Sequence, residues 1–367
     1  MAENYTVTLP HYSVGPNCYD NIGEVTHFLG KTAAVVGGET ALEKAGPQLR
    51  AGLEKAGIEI VDWFVYGKDA TMANVERITS NEKVKGADMI FGVGGGRAVD
   101  TVKTAADILD KPFLSVPTVA SNCAPVTAIA VIYKENGALD HYHFPKRCAT
   151  HCFITSIILD SPEKLFWAGI GDALSKQAES QLASRGKALS HTPLLGVQVG
   201  LVCEEPLLTY GRQALFDFRE GKVTEAFTES VLDIIISTGI TSNLVTTKDS
   251  YYYNSSLAHC FYNASMVLPV IHKHLHGEVV SFGTLVLHAV DGNDEALERM
   301  LEFNRVLGLP VTLGELDITK PEEVDALVDR AVTIKEWTCV PYEMTKEKFR
   351  AGIYKVDALG RELLANK

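Results

Sequence analysis

The 367-residue chain has no run of about 18 uncharged apolar residues and no cluster of basic residues. A membrane-spanning helix requires such a run, so no membrane partner is expected. Asp and Glu outnumber Lys and Arg, and the resulting net charge of −12 disfavours a nucleic-acid partner. The first ten residues also lack the charged and then apolar pattern of a secretion signal, so none is expected.

Cysteine is sparse, and its distribution excludes a disulfide scaffold. The seven cysteines are odd in number and scattered along a long chain, which favours a reducing, cytoplasmic location. Cys148 and Cys152 form the only close pair, and their spacing is not that of a CxxC zinc site. The hydrophobic fraction of 46% is enough for a large core, and the length predicts about two domains.

Strand and helix patterns alternate over the first part of the chain. Predicted strands cover 32–36, 58–65, 88–93 and 112–116, and predicted helices cover 40–56, 70–81 and 97–108. Strands interleaved with helices of this length indicate crossover connections and a mainly parallel sheet. The sequence therefore predicts an α/β nucleotide-binding domain with a Rossmann-like sheet over residues 1–160.

Beyond residue 160 the pattern is almost entirely helical. Predicted helices cover 163–185, 193–210, 223–243, 252–266, 283–289, 294–307, 321–334 and 346–364. Pro162 marks the start of this part, because proline interrupts the preceding structure. The sequence predicts an all-helical second domain over residues 161–367.

Three consecutive glycines, Gly94, Gly95 and Gly96, lie where the third predicted strand ends and a helix begins. Glycines at such a point let the backbone approach a phosphate, and the helix N-terminus offers amide groups to it. The glycines alone are equally consistent with a tight turn that binds nothing. They are not the GxGxxG of the usual dinucleotide fold, which the first crossover at 37–39 cannot supply.

The sequence around this turn is more specific. Residues 92–103 read GVGGGRAVDTVK and residues 115–133 read SVPTVASNCAPVTAIAVIY, followed by IGDAL at 170–174 and HGEVVSFG at 276–283. These motifs, in this order, resemble the glycerol-dehydrogenase-like branch of the iron-containing alcohol dehydrogenases. The resemblance runs over nearly the whole chain. It implies a dehydroquinate-synthase-like architecture, in which the α/β domain precedes the helical one, and a homo-oligomer.

The resemblance also implies a nicotinamide cofactor, NAD or NADP. The cofactor contacts it implies are Gly94, Gly95 and Gly96 at the pyrophosphate, Thr118 and Ser121 at the adenine side and phosphates, and Thr127, Ile129 and Tyr133 at the nicotinamide half. Asp100 is expected either near the nicotinamide or as a first-turn carboxylate favoured by the helix dipole.

One divalent metal, zinc or iron, is implied as well, with Asp172, His259 and His276 as its ligands and as the catalytic residues. Asp172 is expected to open a helix, and His259 to lie on a helix that begins near Tyr252. One carboxylate, two imidazoles and an open position suit a catalytic site for either metal. Such an ion lowers the pKa of an alcohol, which can then release hydride to the nicotinamide, in an expected cleft between the domains.

Spacing alone would not select these ligands, because a single histidine is usually a solvated side chain. The chain has eleven histidines, and three of them crowd the stretch 271–276. His272 and His274 are expected to lie at the surface or to support the ligands without binding the metal.

Three positions depart from the family's pattern and bear on specificity. Cys123 stands where glycerol dehydrogenases carry an aspartate near the substrate hydroxyls, which favours a hydroxy or oxo acid over glycerol. Tyr262 stands one helical turn after His259, where a second histidine is common, and either contacts substrate or is an ordinary aromatic of the cleft wall. Gly38 replaces an acidic residue that would bind the ribose hydroxyls, which leaves NADP open beside NAD, although Glu39 could substitute.

The sequence thus predicts a metal-dependent oxidoreductase that transfers a hydride between NAD(P) and a small polar alcohol or carbonyl compound. The substrate is either a polyol such as glycerol or a hydroxy or oxo acid. A dehydroquinate-synthase-like lyase or a glycerol-phosphate enzyme on the same fold would need a basic phosphate pocket, which the sequence does not reveal. A non-catalytic nicotinamide-binding protein is the remaining alternative, and the intact set of metal ligands disfavours it.

Overall fold

The computed structural model describes residues 5–366. Residues 1–4, which are part of the segment predicted to lack a secretion signal, lie outside the described residues. The chain divides into two compact units. One ends at Glu163 and also includes Gly221–Val223, and the other comprises Lys164–Glu220 and the chain from Thr224 onward.

The first unit is built on a six-stranded sheet in which every strand pairing is parallel. Its strands, in the order in which they lie side by side, are β1 (His11–Val14), β8 (His151–Ile154), β5 (Phe113–Pro117), β4 (Met89–Gly94), β2 (Thr32–Gly37) and β3 (Glu59–Val65). The α/β class and the four predicted strands are confirmed, whereas β1 and β8 were not predicted. An antiparallel hairpin of β6 (Ala130–Tyr133) and β7 (Leu139–His143) lies outside this sheet.

Helices cover both faces of the sheet. They are α1 (Ile22–Thr26), α2 (Glu39–Lys55), α3 (Met72–Thr79), α4 (Glu82–Gly86) and α5 (Gly96–Ile108). Successive residues of β2 point to opposite faces, so Val35 packs in one core with Leu49 of α2 and Val36 packs in the other with Val99 of α5. Burial on both faces explains the almost unbroken apolar sequence of the central strands.

The second unit is helical, and the named strands of the described residues all lie in the first unit. Its helices are α6 (Glu163–Ala173), α7 (Ser175–Ser184), α8 (His191–Val199), α9 (Glu205–Arg219), α10 (Glu225–Leu232), α11 (Thr238–Val245), α12 (Leu257–Ser265), α13 (His276–Asp291), α14 (Asp294–Leu307), α15 (Pro321–Ala331) and α16 (Lys346–Ala365). The helix predicted over 223–243 is interrupted by a π-helical turn at Asp233–Ser237. Among the described residues, none of these helices combines the length and the hydropathy that crossing a membrane demands.

Candidate functional site

Two helices of the second unit, α6 and α13, touch through their backbones. A Cβ atom added to Gly277 would lie 1.8 Å from the carbonyl oxygen of Ala168, and one added to Gly171 would lie 2.6 Å from the carbonyl oxygen of Gly277. Only glycine permits this approach. Asp172 follows Gly171 and His276 precedes Gly277, so the contact brings these two side chains together.

Asp172 does not open a helix, and that expectation is wrong. It is the penultimate residue of α6, because the glycines before it are part of the helix and not of a preceding loop. The helix that carries His259 begins at Leu257 and not near Tyr252, which makes His259 the third residue of α12. His276 is the first residue of α13.

The three predicted ligands converge. Nε2 of His276 lies 3.1 Å from Oδ1 of Asp172, and Nε2 of His259 lies 3.7 Å from the same oxygen. Each of the three residues offers one donor atom, and these atoms all lie within 4.8 Å of one another. Both imidazoles and the carboxylate therefore face one point, as the donors around a single cation must.

The charges of this cluster suit a cation. Burial raises the pKa of the Asp172 carboxyl, but the adjacent His276 and His259 outweigh it and leave the pKa below its ordinary value. Although it lies close to both imidazoles, Oδ1 of Asp172 is buried without a hydrogen bond of acceptable geometry in the described residues. A buried oxygen without a donor is costly, and a divalent ion bound between the carboxylate and the two nitrogens would satisfy it. The residues present therefore fit the metal that the sequence implies.

Two residues of α7, Glu179 and Lys176, were not predicted from the sequence and hold the segment that carries His259. Oε2 of Glu179 lies 2.6 Å from Nδ1 of His259, and Glu179 is fully buried. The Lys176 ammonium donates to the side-chain oxygen of Asn254 at 2.8 Å and is also buried. Residues 172, 176 and 179 are spaced i, i+4 and i+7 within the helix predicted over 163–185, and that spacing was the available signal.

The other residues around the cluster have separate roles. The rings of Tyr262 and His276 meet edge to face with 4.2 Å between their centroids, so Tyr262 lies beside a predicted ligand. His274 bonds through Nδ1 to Glu278 at 2.8 Å and through Nε2 to Asp317 at 3.3 Å. His272 is exposed. The structure thus places His272 and His274 outside the ligand set.

In the first unit, the glycine turn has the backbone that a phosphate site needs. Gly94 ends β4 with a φ of +146°, and a Cβ atom there would lie 2.7 Å from the Cβ of Ala98. Helix α5 then starts at Gly96 with no side-chain cap, which leaves its first amides available to an anion. The amide of Thr118 donates to the carbonyl of Gly94 at 3.2 Å, which fixes the following loop beside the turn.

Asp100 lies inside α5 and does not have the first-turn role that its position suggests. It is the fifth residue of α5, so the first-turn role is wrong. Its Oδ1 accepts from the buried ammonium of Lys103 at 3.0 Å, and its Oδ2 accepts from the Val131 amide at 3.0 Å. Lys103 also donates to the carbonyl of Ile129 at 2.6 Å. This buried ion pair fixes the chain at the residues predicted for the nicotinamide half.

The remaining predicted cofactor residues line the same loop and hairpin. The hydroxyl of Thr127 donates to the carbonyl of Ile129 at 3.3 Å, and Thr127 is buried. Ser121 and Cys123 are partly buried. Burial raises the pKa of Tyr133, so its phenol stays protonated at neutral pH. The structure gathers these residues in the first unit, and their contact with a cofactor stays a prediction.

A cavity of about 430 Å³ opens where β2 and β3 end. It is lined by Gly38, Glu39, Thr40, Ala41, Val65, Tyr66, Gly67 and Lys68. The amide of Gly38 donates to the carbonyl of Val93 at 3.2 Å, so the cavity adjoins the glycine turn. Only Gly38 and Glu39 of this lining could be recognised from the sequence, because Thr40 and Lys68 belong to no motif by themselves.

Known proteins resemble this chain along most of its length. The sequence pattern described as iron-containing alcohol dehydrogenase matches residues 10–156. The chain is 30% identical over 364 residues to a glycolaldehyde reductase of Halobacterium salinarum, covering 96% of each protein. It is 32% identical over 275 residues to hydroxycarboxylate dehydrogenase A of Escherichia coli, covering 74% of this chain and 75% of that one. The crystal structure of a probable glycerol dehydrogenase from Sinorhizobium meliloti aligns at 27% identity with a TM-score of 0.82, covering 98% of this chain and 100% of that one.

Proposed function

The chain belongs to the iron-containing alcohol dehydrogenase family, and from this premise we propose that Asp172, His259 and His276 hold its catalytic metal. Membership makes the chain a metal-dependent oxidoreductase that transfers a hydride between a nicotinamide cofactor and a small polar alcohol or carbonyl compound. The observation that carries the proposed site is the convergence of one carboxylate and two imidazoles within 4.8 Å.

Different residues of the chain are proposed to bind the metal and to bind the cofactor. When bound, a divalent ion polarises the substrate oxygen and lowers the pKa of an alcohol hydroxyl. Asp172, His259 and His276 fix the place at which this polarisation acts, and Tyr262 borders that place. The glycine turn and the uncapped start of α5 hold the cofactor's pyrophosphate, and the buried pair of Asp100 and Lys103 fixes the loop proposed to face the nicotinamide.

We propose zinc as the metal. Three side-chain ligands with one open position are the pattern of catalytic zinc sites. The place of a fourth side-chain ligand, one turn after His259, is taken by Tyr262, whose ring packs on His276. The same three donors also accept Fe(II), so elemental analysis of protein purified without added metal distinguishes the two ions.

We propose NADP(H) as the preferred nucleotide. Gly38 offers no carboxylate to bind ribose hydroxyls at the end of β2. The adjoining cavity instead combines Lys68, the hydroxyl of Thr40 and the uncapped N-terminus of α2, all of which suit a phosphate. Glu39 is the one acidic group lining this cavity, and it opposes the preference.

We propose a hydroxy or oxo acid as the substrate class. The support is Cys123, which replaces the aspartate typical of glycerol dehydrogenases and so removes a carboxylate that would repel an anionic substrate. The relative from Escherichia coli named as a hydroxycarboxylate dehydrogenase supports the same choice. A cytoplasmic location and a homo-oligomeric state remain proposals, based on cysteine usage and on the family resemblance.

The decisive experiment replaces His259 with Ala in the full-length protein. Metal content and hydride transfer should be lost together, while binding of the nicotinamide cofactor, followed by its fluorescence, should persist because its proposed contacts belong to the first unit. His272→Ala is the matched control, since His272 is exposed and lies outside the cluster. A His259→Ala protein that keeps its metal and its activity would remove the basis of the proposed site.

A further inference from the structure

Glu179 is a fully buried carboxylate, and the chain directs three donors at it. Its Oε1 accepts from the amide of Ser256 at 2.7 Å and from the amide of His259 at 2.9 Å. Its Oε2 lies 2.6 Å from Nδ1 of the His259 ring. An ionised carboxylate only accepts hydrogen bonds, so the ring nitrogen that faces it carries the proton.

The two amides belong to the N-terminus of α12, which lacks a cap from its own sequence. Ser256 is the N-cap residue, but its hydroxyl donates to the carbonyl of Cys339 at 2.6 Å instead of capping the helix. Glu179, from α7, supplies the cap. It satisfies the amides of the N-cap and of the third helical residue and places a negative charge at the positive end of the helix dipole.

We infer that Glu179 is the positioning residue of the proposed metal site. It fixes both the position and the tautomer of the ligand His259. This inference rests on the proposed function. By holding the N-terminus of α12, the carboxylate sets where His259 lies. By accepting a hydrogen bond from the protonated Nδ1, the carboxylate keeps the free lone pair of the His259 ring on Nε2. This atom lies 3.7 Å from Oδ1 of Asp172. A carboxylate that orients an imidazole ligand in this way also makes the ligand more basic.

A second contact from α7 reinforces this arrangement. The ammonium of Lys176 donates to the carbonyl of Asn254 at 3.1 Å as well as to its side chain, two residues before the N-cap of α12. Helix α7 thus contacts the start of α12 at two points, through Lys176 and through Glu179. Because α7 directly follows α6, which carries Asp172, one continuous stretch of chain determines the separation of two proposed ligands.

The substitution Glu179→Gln separates positioning from simple packing, because the amide has nearly the same shape. If its oxygen faces the two backbone amides, its NH2 group faces Nδ1 of His259 and drives the proton to Nε2, where metal must bind. If the amide is turned around, its NH2 group opposes the backbone donors. In the first case metal binding returns the proton to Nδ1 and breaks the hydrogen bond to the amide, and in the second case a backbone hydrogen bond is lost, so metal affinity should fall about 10- to 100-fold.

The measurement is the dissociation constant for Zn²⁺, obtained on the metal-stripped full-length protein by competition with a chromogenic chelator. Asp357→Asn is the matched control. Asp357 is also a buried carboxylate that accepts from a backbone amide at a helix start, that of Leu313 at 2.8 Å, but it contacts no proposed ligand. We expect it to lower thermal stability and to leave zinc affinity within about twofold of wild type.

The outcomes separate this inference from the proposed site. If wild type binds zinc and His259→Ala does not, the site stands. If Glu179→Gln then binds zinc as tightly as wild type, or Asp357→Asn weakens zinc binding equally, the role of Glu179 is refuted. Should Glu179→Gln not fold, nitrogen-15 spectra of histidine-labelled wild type decide the matter. A proton on Nδ1 of His259 supports the inference, and a proton on Nε2 overturns it.

Discussion

The carboxylate of Asp172 and the imidazole of His276 lie 3.1 Å apart because the helices that carry them meet at the adjacent glycines Gly171 and Gly277. The two side chains are 104 positions apart in sequence, yet each is one residue from the point of backbone contact. The geometry of the proposed site therefore depends on a contact in which no side chain takes part.

Substitution of Gly277 by alanine tests that dependence. The new methyl group would lie 1.8 Å from the Ala168 carbonyl oxygen, so α6 and α13 must separate. We expect a loss of at least about 1–3 kcal/mol in the free energy of unfolding and a large drop in metal content. The measurements are urea denaturation and elemental analysis. Gly314→Ala is the control, because its nearest neighbour would be 3.9 Å away. Full metal occupancy in Gly277→Ala would contradict the role of this contact.

Replacement of Lys68 by alanine tests the nucleotide preference. If Lys68 binds a 2′-phosphate, its loss should weaken NADP(H) binding roughly tenfold and leave NAD(H) binding nearly unchanged. Dissociation constants for both reduced nucleotides can be measured by fluorescence titration. Glu39→Gln should act in the opposite direction, because it removes the carboxylate that lines the same cavity. An equal loss of affinity for both nucleotides in Lys68→Ala would argue against phosphate recognition.

Replacement of Cys123 by aspartate tests the substrate class. A restored carboxylate should repel an anionic substrate and bind polyol hydroxyls, so kcat/KM for glycerol should rise relative to that for a 2-oxo or 2-hydroxy acid. We expect a shift of about tenfold or more in this ratio, or roughly 1–3 kcal/mol. Cys123→Asn supplies a neutral side chain of similar size as the control. If wild type already turns over glycerol far faster than any hydroxy acid, the proposed class is wrong.

The buried Asp233, in the π-helical turn, predicts a pH dependence of stability. Burial raises its pKa to about 7, against the opposing effect of the Ser237 hydroxyl and with a further contribution from Glu229. Because the folded chain holds this proton more tightly than the unfolded chain, the stabilisation is complete below the ordinary value of 3.8. It is lost as the pH rises through about 7.

Asp233→Asn should remove this dependence. Relative to wild type, the variant should gain up to about 4 kcal/mol in the free energy of unfolding between pH 4 and pH 8. Other titrating groups are common to both proteins, so the difference between the two urea curves isolates Asp233. The exposed Asp249→Asn serves as the control. A constant difference across this range would show that Asp233 ionises normally.

The central strands and the glycine turn could be predicted from sequence because both have local causes. A strand buried on two faces gives an apolar run, and a close backbone approach demands glycine. The edge strand β1 has only four residues, His11–Val14, with polar and exposed positions, and β8 is as short. Neither carries a periodic signal, so both become recognisable only through their pairing.

The candidate site was only partly predictable, for a different reason. Asp172, His259 and His276 were selected by family resemblance, since nothing in their spacing shows that they converge. Asp172 was misplaced because Gly169 and Gly171 suggest a loop, whereas both are helical and Gly171 packs against α13. The contact between Glu179 and His259 crosses 80 positions and leaves no local pattern.

The pairing of β1 with β8 also governs the order in which the sheet can assemble during synthesis. Ser13 of β1 and His151 of β8 form a 2.9 Å contact across 138 positions. The first strand of the sheet to be synthesised therefore cannot pair until the last one has been made. At typical elongation rates of about 5–20 residues per second, synthesis of these 138 residues takes about 7–28 seconds. During this time β1 has no strand to pair with. A shortened chain that ends before β8 would also leave β5 as an unpaired edge strand, which favours aggregation.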